Sequence, residues 1–359
     1  MEIRFSNYEM TNDSTPDPLS LHQYEDNHDI HLNWTLFMYD IETAHDAHST
    51  AVAVYAVVLS FVSIVLNSVL CVVIFFTKEL RCRPLYACVL NFCIINLLMG
   101  VIVNPLVTYH ELSPVWALGT FVCDTWIIMD VLLPFTSLMT LLLLSIDRLM
   151  FVRMNTLYKS AKFRFQREVY VILPWLLGVV IVLPIWIGGF QKSPFHVTGM
   201  CVFGLVDEAS ISSPILVYFL PALIIVLVMV CTHLFSFRDS SPEYSQTSTR
   251  SAGAGVQTGY YAYESHFSVV TLYFVNVTFL IMWAPFHIMS LLLAVCVDCM
   301  PPYSLILGFT YMGATASSLI SLLWLTDYHI RYSLKHIRER FRKQTSPPST
   351  TVTLTLLEA

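Results

Sequence analysis

Seven long apolar stretches are the feature that most limits what this chain can fold into. They cover residues 51–76, 86–109, 120–152, 168–189, 211–237, 264–296 and 302–325. A helix needs about 20 apolar residues to cross the hydrocarbon core of a bilayer, and each stretch is that long or longer. Only 12% of the 359 residues are charged, about half the usual share in a soluble domain. We therefore predict an all-α membrane protein that forms a seven-transmembrane helix bundle.

The basic residues predict how this bundle is oriented. Arg4 and Lys192 are the only two that lie on the side of the N-terminus; the others lie in the alternate loops or after the seventh stretch. Loops rich in Lys and Arg stay in the cytoplasm. We expect a multi-pass plasma-membrane protein with its N-terminus outside the cell and its C-terminus inside.

The segments outside the bundle, which spans residues 51–327, have compositions of their own. Residues 1–50 are acidic and carry glycosylation sequons at Asn12 and Asn33, which indicates a flexible extracellular tail. The third inner loop, about residues 238–263, is rich in Ser, Thr and Gly and is typical of a linker. Residues 328–342 alternate apolar and basic positions, which predicts an amphipathic eighth helix on the inner leaflet, followed by a disordered tail over 343–359.

The third apolar stretch carries the most informative polar residues. Asp130 interrupts it, and Asp147 and Arg148 stand near its inner end. With a rise of about 1.5 Å per residue, Asp130 lies roughly 10 Å from Cys123 and about 27 Å from Arg148. A carboxylate inside a membrane is costly and marks a functional site with a partner. That partner is either a cationic ligand or a polar group on another helix.

The cysteines predicted to lie outside the cell are Cys123, Cys201, Cys296 and Cys299. Their even number in an oxidising compartment predicts disulfides, and three pairings are compatible with the sequence.

Several classes of function are disfavoured. The spans show neither the paired broken helices nor the several intramembrane charges of a transporter. There is no clustered metal-ligand set and no nucleophile motif, so we expect no enzyme activity, cofactor, metal ion or nucleic-acid partner.

The chain resembles a class A (rhodopsin-like) G-protein-coupled receptor, and within that class the amine-binding (muscarinic, histamine and monoamine) branch. The resemblance extends over about Val52 to Arg342 and rests on landmarks in family order. These are Asn67, the Trp116–Gly119 run, Cys123, Asp147-Arg148, Tyr158, Trp175, Pro184, Pro221 and the Phe279, Trp283, Pro285 group.

The resemblance implies a ligand site. It pairs Cys123 with Cys201 and Cys296 with Cys299, and it makes Asp130 the counterion of a small protonated amine. Cation–π contacts and polar contacts would come from other helices. The candidates are Trp126, Ser213, Tyr218, Trp283, Phe286, His287 and Tyr311.

The resemblance also implies a switch, in which the sixth helix swings outward at Pro285 and exposes Arg148 to a heterotrimeric G protein. Asp147, Arg148, Phe279, Trp283, Pro285 and Asn96 are the expected switch residues. Receptor kinases and arrestin would act on the C-terminal tail.

Three departures from the family affect this switch. Asn96 stands where the family has a sodium-binding aspartate, which predicts weak or absent sodium sensitivity. The seventh helix lacks an Asn-Pro-x-x-Tyr motif, and Ser321 to Leu325 is its nearest counterpart, in a register open by four residues. Met229 replaces a tyrosine that would meet Arg148. The alternatives are therefore a constitutive or decoy receptor with weak coupling, or a receptor for a peptide or lipid.

Overall fold

The computed structural model describes residues 50–81, 83–113, 116–153, 166–190, 201, 208–239, 255–296 and 301–345. The sequons at Asn12 and Asn33, together with Cys299 and Tyr158, lie outside these residues.

Eight long helices follow one another along the described chain. The first four are α1 (Thr50–Phe76), α2 (Pro84–Leu98, continued through Met99–Val103 to Asn104–Leu112), α3 (Gly119–Arg153) and α4 (Gln166–Phe190). The others are α5 (Glu208–Pro214, continued through Ile215–Phe219 to Leu220–Asp239), α6 (Gly255–Val295), α7 (Tyr303–Leu325) and α8 (Tyr328–Thr345). A short helical turn, Lys78–Arg81, connects α1 with α2.

Helices α1 to α7 are the seven predicted spans. Each contains a stretch of 18 residues or more that is apolar enough to cross a membrane. Large apolar side chains such as Phe61, Ile172 and Leu227 point out of the bundle, as expected where lipid replaces water. The prediction of a seven-transmembrane bundle is confirmed.

Several helix boundaries differ from the predicted ones, and the start of α6 differs most. Helix α6 begins at Gly255, within the segment 238–263 that was predicted to be a linker, and α8 continues to Thr345 instead of ending at residue 342. The placement of α8 on the inner leaflet stays a prediction. Asp327 caps the N-terminus of α8, because its carboxylate accepts hydrogen bonds from the backbone N–H groups of His329 and Ile330, at N–O distances of 3.0 and 3.2 Å.

Helix α3 is the centre of the bundle and packs against α2, α4, α5 and α6. Gly178 lets α4 approach it closely, because a Cβ atom at this position would come within 2.7 Å of the Leu132 side chain. Small residues commonly permit such close contact between membrane helices. Polar groups on α3 are therefore surrounded by other helices.

Two of the helices contain a wide π-helical turn just before a proline. Met99–Val103 precedes Pro105 in α2, and Ile215–Phe219 precedes Pro221 in α5. A proline has no N–H and its ring clashes with the carbonyl four residues earlier, which in both helices lies inside the wide turn. The extra residue per turn accommodates the ring, and such turns often occur at functional sites.

Candidate functional site

Asp130 faces a cleft between the helices. Within the part of the chain that the structure describes, its carboxylate has no hydrogen-bond or ion-pair partner. The cleft encloses about 800 Å³ of space not filled by protein atoms, part of it open to solvent. Most of its wall is apolar, so a cation entering it would be attracted to Asp130 through a medium that screens charge weakly.

Six of the helices contribute to the wall of this cleft. The predicted residues Asp130, Tyr218, Trp283, Phe286, His287 and Tyr311 all line it. The rest of the wall contains residues that were not predicted from the sequence, among them Ala56 and Leu59 of α1, Met99, Asn104 and Val107 of α2, Pro134 of α3 and Thr310 of α7. Both wide turns contribute, since Met99 lies in the first and Tyr218 in the second. The turns therefore help to shape the cleft.

An aromatic group forms the wall on α5 and α6. The rings of Tyr218 and His287 are stacked, with centroids 4.4 Å apart, and Phe286 meets Trp283 edge to face at 6.2 Å. The Tyr218 hydroxyl donates a hydrogen bond to the Leu280 carbonyl. This bond joins α5 to α6 about one turn before Pro285. A bound molecule that displaces Tyr218 would therefore break a contact with α6, the helix that carries Trp283.

Trp283 also rests on a glycine of the seventh helix. A Cβ atom at Gly313 would lie 2.9 Å from the Trp283 ring, closer than real Cβ atoms approach a neighbour. The ring can occupy its position only because Gly313 has no side chain. Phe279, a predicted switch residue, also packs against Trp283, with ring centroids 6.1 Å apart.

Tyr311 connects the cleft with α1. Its ring packs edge to face on Tyr55, and the Tyr55 hydroxyl lies 2.6 Å from the hydroxyl of Thr315. The Tyr311 hydroxyl itself is buried and has no hydrogen-bond partner within the described residues.

Trp126 and Ser213, two further predicted ligand contacts, lie outside the residues that line the cleft. The Trp126 ring stacks on Trp116 at 5.3 Å and packs against His110 at the same distance. Ser213 is buried on α5 before the wide turn. A role for either residue in ligand binding therefore stays a prediction.

Pro134 gives the site a backbone acceptor. In a regular helix, residue 134 would donate its N–H to the carbonyl of residue 130, but a proline has no N–H. The intrahelical bond to the Asp130 carbonyl therefore cannot form at this position. Asp130 and Pro134 both line the cleft, so the missing intrahelical bond lies at its wall.

A disulfide closes one end of the bundle. Cys123 at the start of α3 is bonded to Cys201, which confirms the first predicted pair. Cys296 is also disulfide-bonded, while its predicted partner Cys299 is not among the described residues. We call this end of the bundle the disulfide end.

The opposite end, the Arg148 end, contains an ion pair. Nη2 of Arg148 lies 2.6 Å from Oδ2 of Asp147, and the Tyr170 hydroxyl of α4 donates to Oδ1 of the same carboxylate at 2.9 Å. Asp147 is fully buried. Deeper in the same half, the Asn276 side chain of α6 donates to the Ser145 hydroxyl of α3 at 2.8 Å. Asn276 is the first residue of an Asn-Val-Thr glycosylation sequon. It lies inside the sixth span, where its side chain connects α6 with α3.

Asn96, which the resemblance aligns with a sodium-binding aspartate, contacts a neutral polar group on another helix. Asn96 donates to Oδ1 of Asn67 at 3.4 Å, and the hydroxyl of Ser321 lies 2.9 Å from the same oxygen. This arrangement brings together α1, α2 and α7. Ser321 and Asn96 thus contact the same oxygen of Asn67. This shared contact favours the alignment in which Ser321 takes the first position of the Asn-Pro-x-x-Tyr motif. Among the described residues there is no group of three or more His, Cys, Asp or Glu that could hold a metal ion.

Comparisons with known proteins identify what this arrangement is similar to. Residues 66–320 match the family described as the 7 transmembrane receptor (rhodopsin family). The D(5)-like dopamine receptor of Takifugu rubripes is 25% identical over 249 residues, which cover 64% of this chain and 53% of that receptor. The D(1)-like dopamine receptor of Oreochromis mossambicus is 27% identical over 181 residues, covering 48% and 44%. The human histamine H2 receptor is 25% identical over 250 residues, covering 66% and 64%.

The chain spans about half the length of these dopamine receptors. The relatives that it matches carry the names of amine receptors, so the resemblance to the amine-binding branch is confirmed at low identity.

Proposed function

The chain belongs to the rhodopsin family of seven-transmembrane receptors, which are multi-pass proteins of the plasma membrane, and from this premise we propose that it is a G-protein-coupled receptor for a small protonated amine held by Asp130. The amine would enter from the disulfide end, which we place outside the cell. This assignment gives the disulfide an oxidising compartment.

One observation carries the proposal. Asp130 presents a carboxylate to an apolar cleft, and no described residue pairs with it. Intramembrane carboxylates are retained at a cost, and the cost is recovered when a partner arrives. An alkylammonium matches this need, because it supplies one positive charge and N–H donors for the carboxylate.

The aromatic wall supports the same class of ligand. Trp283, Phe286 and Tyr218 line the cleft that contains Asp130. A cation over an aromatic face gains up to about 2 kcal/mol when both are desolvated. A neutral lipid or an anionic ligand would gain nothing from Asp130, which is why we favour an amine over these alternatives.

Signalling would begin at the aromatic wall. A ligand that displaces Tyr218 or Trp283 acts on α6 near Pro285, and Asn276 on the same helix is bonded to α3 close to Arg148. Outward movement of α6 would break the Asn276 contact and let Arg148 leave Asp147 for a G protein. In energetic terms the ligand shifts the population between two states, by no more than its difference in affinity for them.

The test is a G-protein dissociation assay in cells that express the full chain, with a panel of biogenic amines and choline esters. Asp130→Asn keeps the size of the side chain and removes its charge. We expect at least one amine to activate the wild type and its potency to fall by about 100-fold or more in the variant, because the ammonium loses a desolvated partner.

Surface expression of both proteins is measured in parallel, and Glu168→Gln, an exposed acid at the Arg148 end, serves as the matched control. An amine that activates both proteins with equal potency would contradict the role of Asp130.

A second candidate function follows from the Arg148 end. Arg148 is held by a fully buried carboxylate that Tyr170 also binds, and Asn96 and Ser321 replace the charged and proline-containing elements of the usual switch. These features would favour a receptor that binds its ligand but couples weakly, or whose activity is constitutive. An amine that stabilises the purified receptor against heat without releasing a G protein would support this reading.

A further inference from the structure

A pair of thiols lies where α1 and α2 pack against each other. Cys71 is in α1 and Cys93 is in α2, and their side chains are within hydrogen-bonding range of one another. Neither cysteine is part of a disulfide, and neither lines the Asp130 cleft. The two helices thus hold a pair of reduced cysteines in contact, away from the site proposed for the amine.

The register of the two helices explains this contact. Helices α1 and α2 are consecutive spans that run in opposite directions, and the Asn96 side chain donates to Oδ1 of Asn67 at 3.4 Å. Cys71 follows Asn67 by four residues, and Cys93 precedes Asn96 by three. Each step is about one helical turn, and in antiparallel helices both steps lead towards the Arg148 end. The hydrogen bond between the asparagines therefore places the two cysteines opposite each other.

The surroundings of the pair are apolar. Cys93 is fully buried in the main core of the bundle, near residues such as Leu70 and Ile74, whereas Cys71 packs against this core and is partly exposed. A single buried cysteine usually acts as a small apolar side chain. Two cysteines whose side chains are in contact can also form a covalent bond, because the backbone need not move far to close it.

We propose that Cys71 and Cys93 are an oxidation site, at which hydrogen peroxide forms a disulfide between α1 and α2. Sγ of Cys71, the more accessible sulfur, loses its proton and attacks one peroxide oxygen. The O–O bond breaks, and the hydroxide that leaves takes this proton and becomes water. Sγ of Cys93 then attacks the sulfenic acid on Cys71, the S–O bond breaks, and the leaving hydroxide takes the Cys93 proton. Two thiols are oxidised to one disulfide, and one peroxide is reduced to two waters.

The disulfide would fasten α1 to α2 beside a contact between three helices. Asn67, one turn from Cys71, also accepts a hydrogen bond from Ser321 of α7. A cross-link restricts the unfolded chain and thereby stabilises the folded one. The apolar surroundings would keep water-soluble thiols away from the bond, so it would persist where disulfides exposed to the cytoplasm are reduced. Neither step requires the amine ligand, so this site is independent of the proposed function.

The test uses the purified full-length receptor in lipid nanodiscs, treated with hydrogen peroxide for minutes to hours. The remaining thiols are blocked with N-ethylmaleimide, and the peptides are analysed by mass spectrometry without reduction. We expect a cross-linked peptide that contains Cys71 and Cys93. Peroxide also oxidises methionines, so its effect on the unfolding temperature is compared with its effect on Cys93→Ser. The wild type should gain roughly 5 °C relative to this variant.

Two variants identify the sulfurs that react. In Cys93→Ser the cross-link should be lost, and oxidation of Cys71 should stop at a sulfenic acid that dimedone traps. Cys231→Ser removes an exposed cysteine of α5 and should leave the cross-link unchanged.

Two results from the wild type would overturn the proposal, and both can be read even if Cys93→Ser folds poorly. One is the absence of the cross-linked peptide under conditions that oxidise the exposed Cys231. The other is a trapped sulfenic acid on Cys71 while Cys93 remains a free thiol, because the two sulfurs would then not meet. A cross-link that depends on peroxide and stabilises the receptor would support the site.

Discussion

Two aspartates on helix α3 have opposite surroundings. Asp147 is fully buried, pairs with Arg148 at 2.6 Å and accepts a hydrogen bond from Tyr170. Asp130 lies 17 residues earlier on the same helix and has no partner within the described residues. Both carboxylates lie among apolar helices, yet only one is neutralised by the protein itself. The protein pairs one charge within its own structure, and in the proposed function the other charge binds the ligand.

This difference separates the roles of the two halves of the bundle. In the half towards the disulfide end, aromatic rings line the cleft that contains Asp130, whose carboxylate has no partner among the described residues. This arrangement suits the recognition of a molecule that comes from outside the bundle. In the Arg148 half, polar side chains bind one another across helices, as Asn276 does with Ser145 and Ser321 with Asn67. Such contacts fix the relative position of helices. Substitutions of these residues should therefore alter stability and basal activity more than ligand affinity.

The largest expected effect is that of Asp147→Asn. Removing one partner of a buried ion pair leaves the other charge uncompensated, at a cost of about 3–5 kcal/mol. We expect a much lower unfolding temperature in detergent, with less receptor at the cell surface. Glu168→Gln removes an exposed acid at the same end and should change stability by less than about 0.5 kcal/mol. Equal stability of the wild type and Asp147→Asn would show that the pair is not structural.

Tyr170→Phe should produce a smaller loss. It removes one hydrogen bond to a buried carboxylate, worth about 1.5–3 kcal/mol for a charged acceptor, and leaves Arg148 in place. We expect lower thermal stability and higher basal G-protein dissociation, because Arg148 is held by a less constrained carboxylate. A lower stability with unchanged basal activity would limit Tyr170 to a structural role.

The same kind of substitution at Asp130 should raise the stability of the unliganded receptor instead of lowering it. Asp130→Asn removes a charge that is unpartnered in the absence of ligand, so the unliganded receptor should become more stable by about 1 kcal/mol. The unfolding temperature of the ligand-free protein, compared with that of Asp147→Asn, tests this directly. A clear destabilisation by Asp130→Asn would mean that its carboxylate has a structural partner after all.

The smallest expected effect is that of sodium. Asn96 cannot supply the negative charge that holds the ion in relatives, so replacing sodium with a large organic cation should leave amine affinity unchanged within about twofold. Asn96→Asp restores the carboxylate and should introduce sodium dependence. Sodium sensitivity of the wild type would contradict the assignment of Asn96 to this position.

The sequence was sufficient for the bundle and for the principal charged residues. Span length predicted α1 to α7, and the cost of a carboxylate in an apolar stretch singled out Asp130, which the structure places in the wall of the cleft. Its role as a ligand site stays a prediction. The resemblance added the disulfide between Cys123 and Cys201 and the aromatic wall. The spans and Asp130 follow from composition and local order, which a single sequence contains, whereas the disulfide and the aromatic wall follow from the resemblance to a known family.

The contacts between helices could not be predicted in the same way. Nothing in the sequence near Tyr170 or Asn276 indicates that they meet Asp147 and Ser145, because such pairs depend on how the helices pack. The second span was predicted to end at residue 109, whereas the helix continues to Leu112. Pro134 could have been noticed, since a proline four residues after Asp130 removes a specific backbone bond.

The wide turns in α2 and α5 have a consequence for length variation. Each residue of a π-helical turn rotates the chain about the helix axis by a smaller angle than a residue of an α-helix. Summed over Met99–Val103, the difference is roughly 100°, the rotation that one residue contributes in a regular α-helix. A deletion of one residue inside this turn would return α2 to a regular helix and leave Asn104 and Val107, which line the cleft, on their present face. The same deletion between Asn104 and Val107 would rotate Val107 about 100° away from the cleft. Among natural variants of this receptor, those shortened within the turn should therefore retain their ligand selectivity.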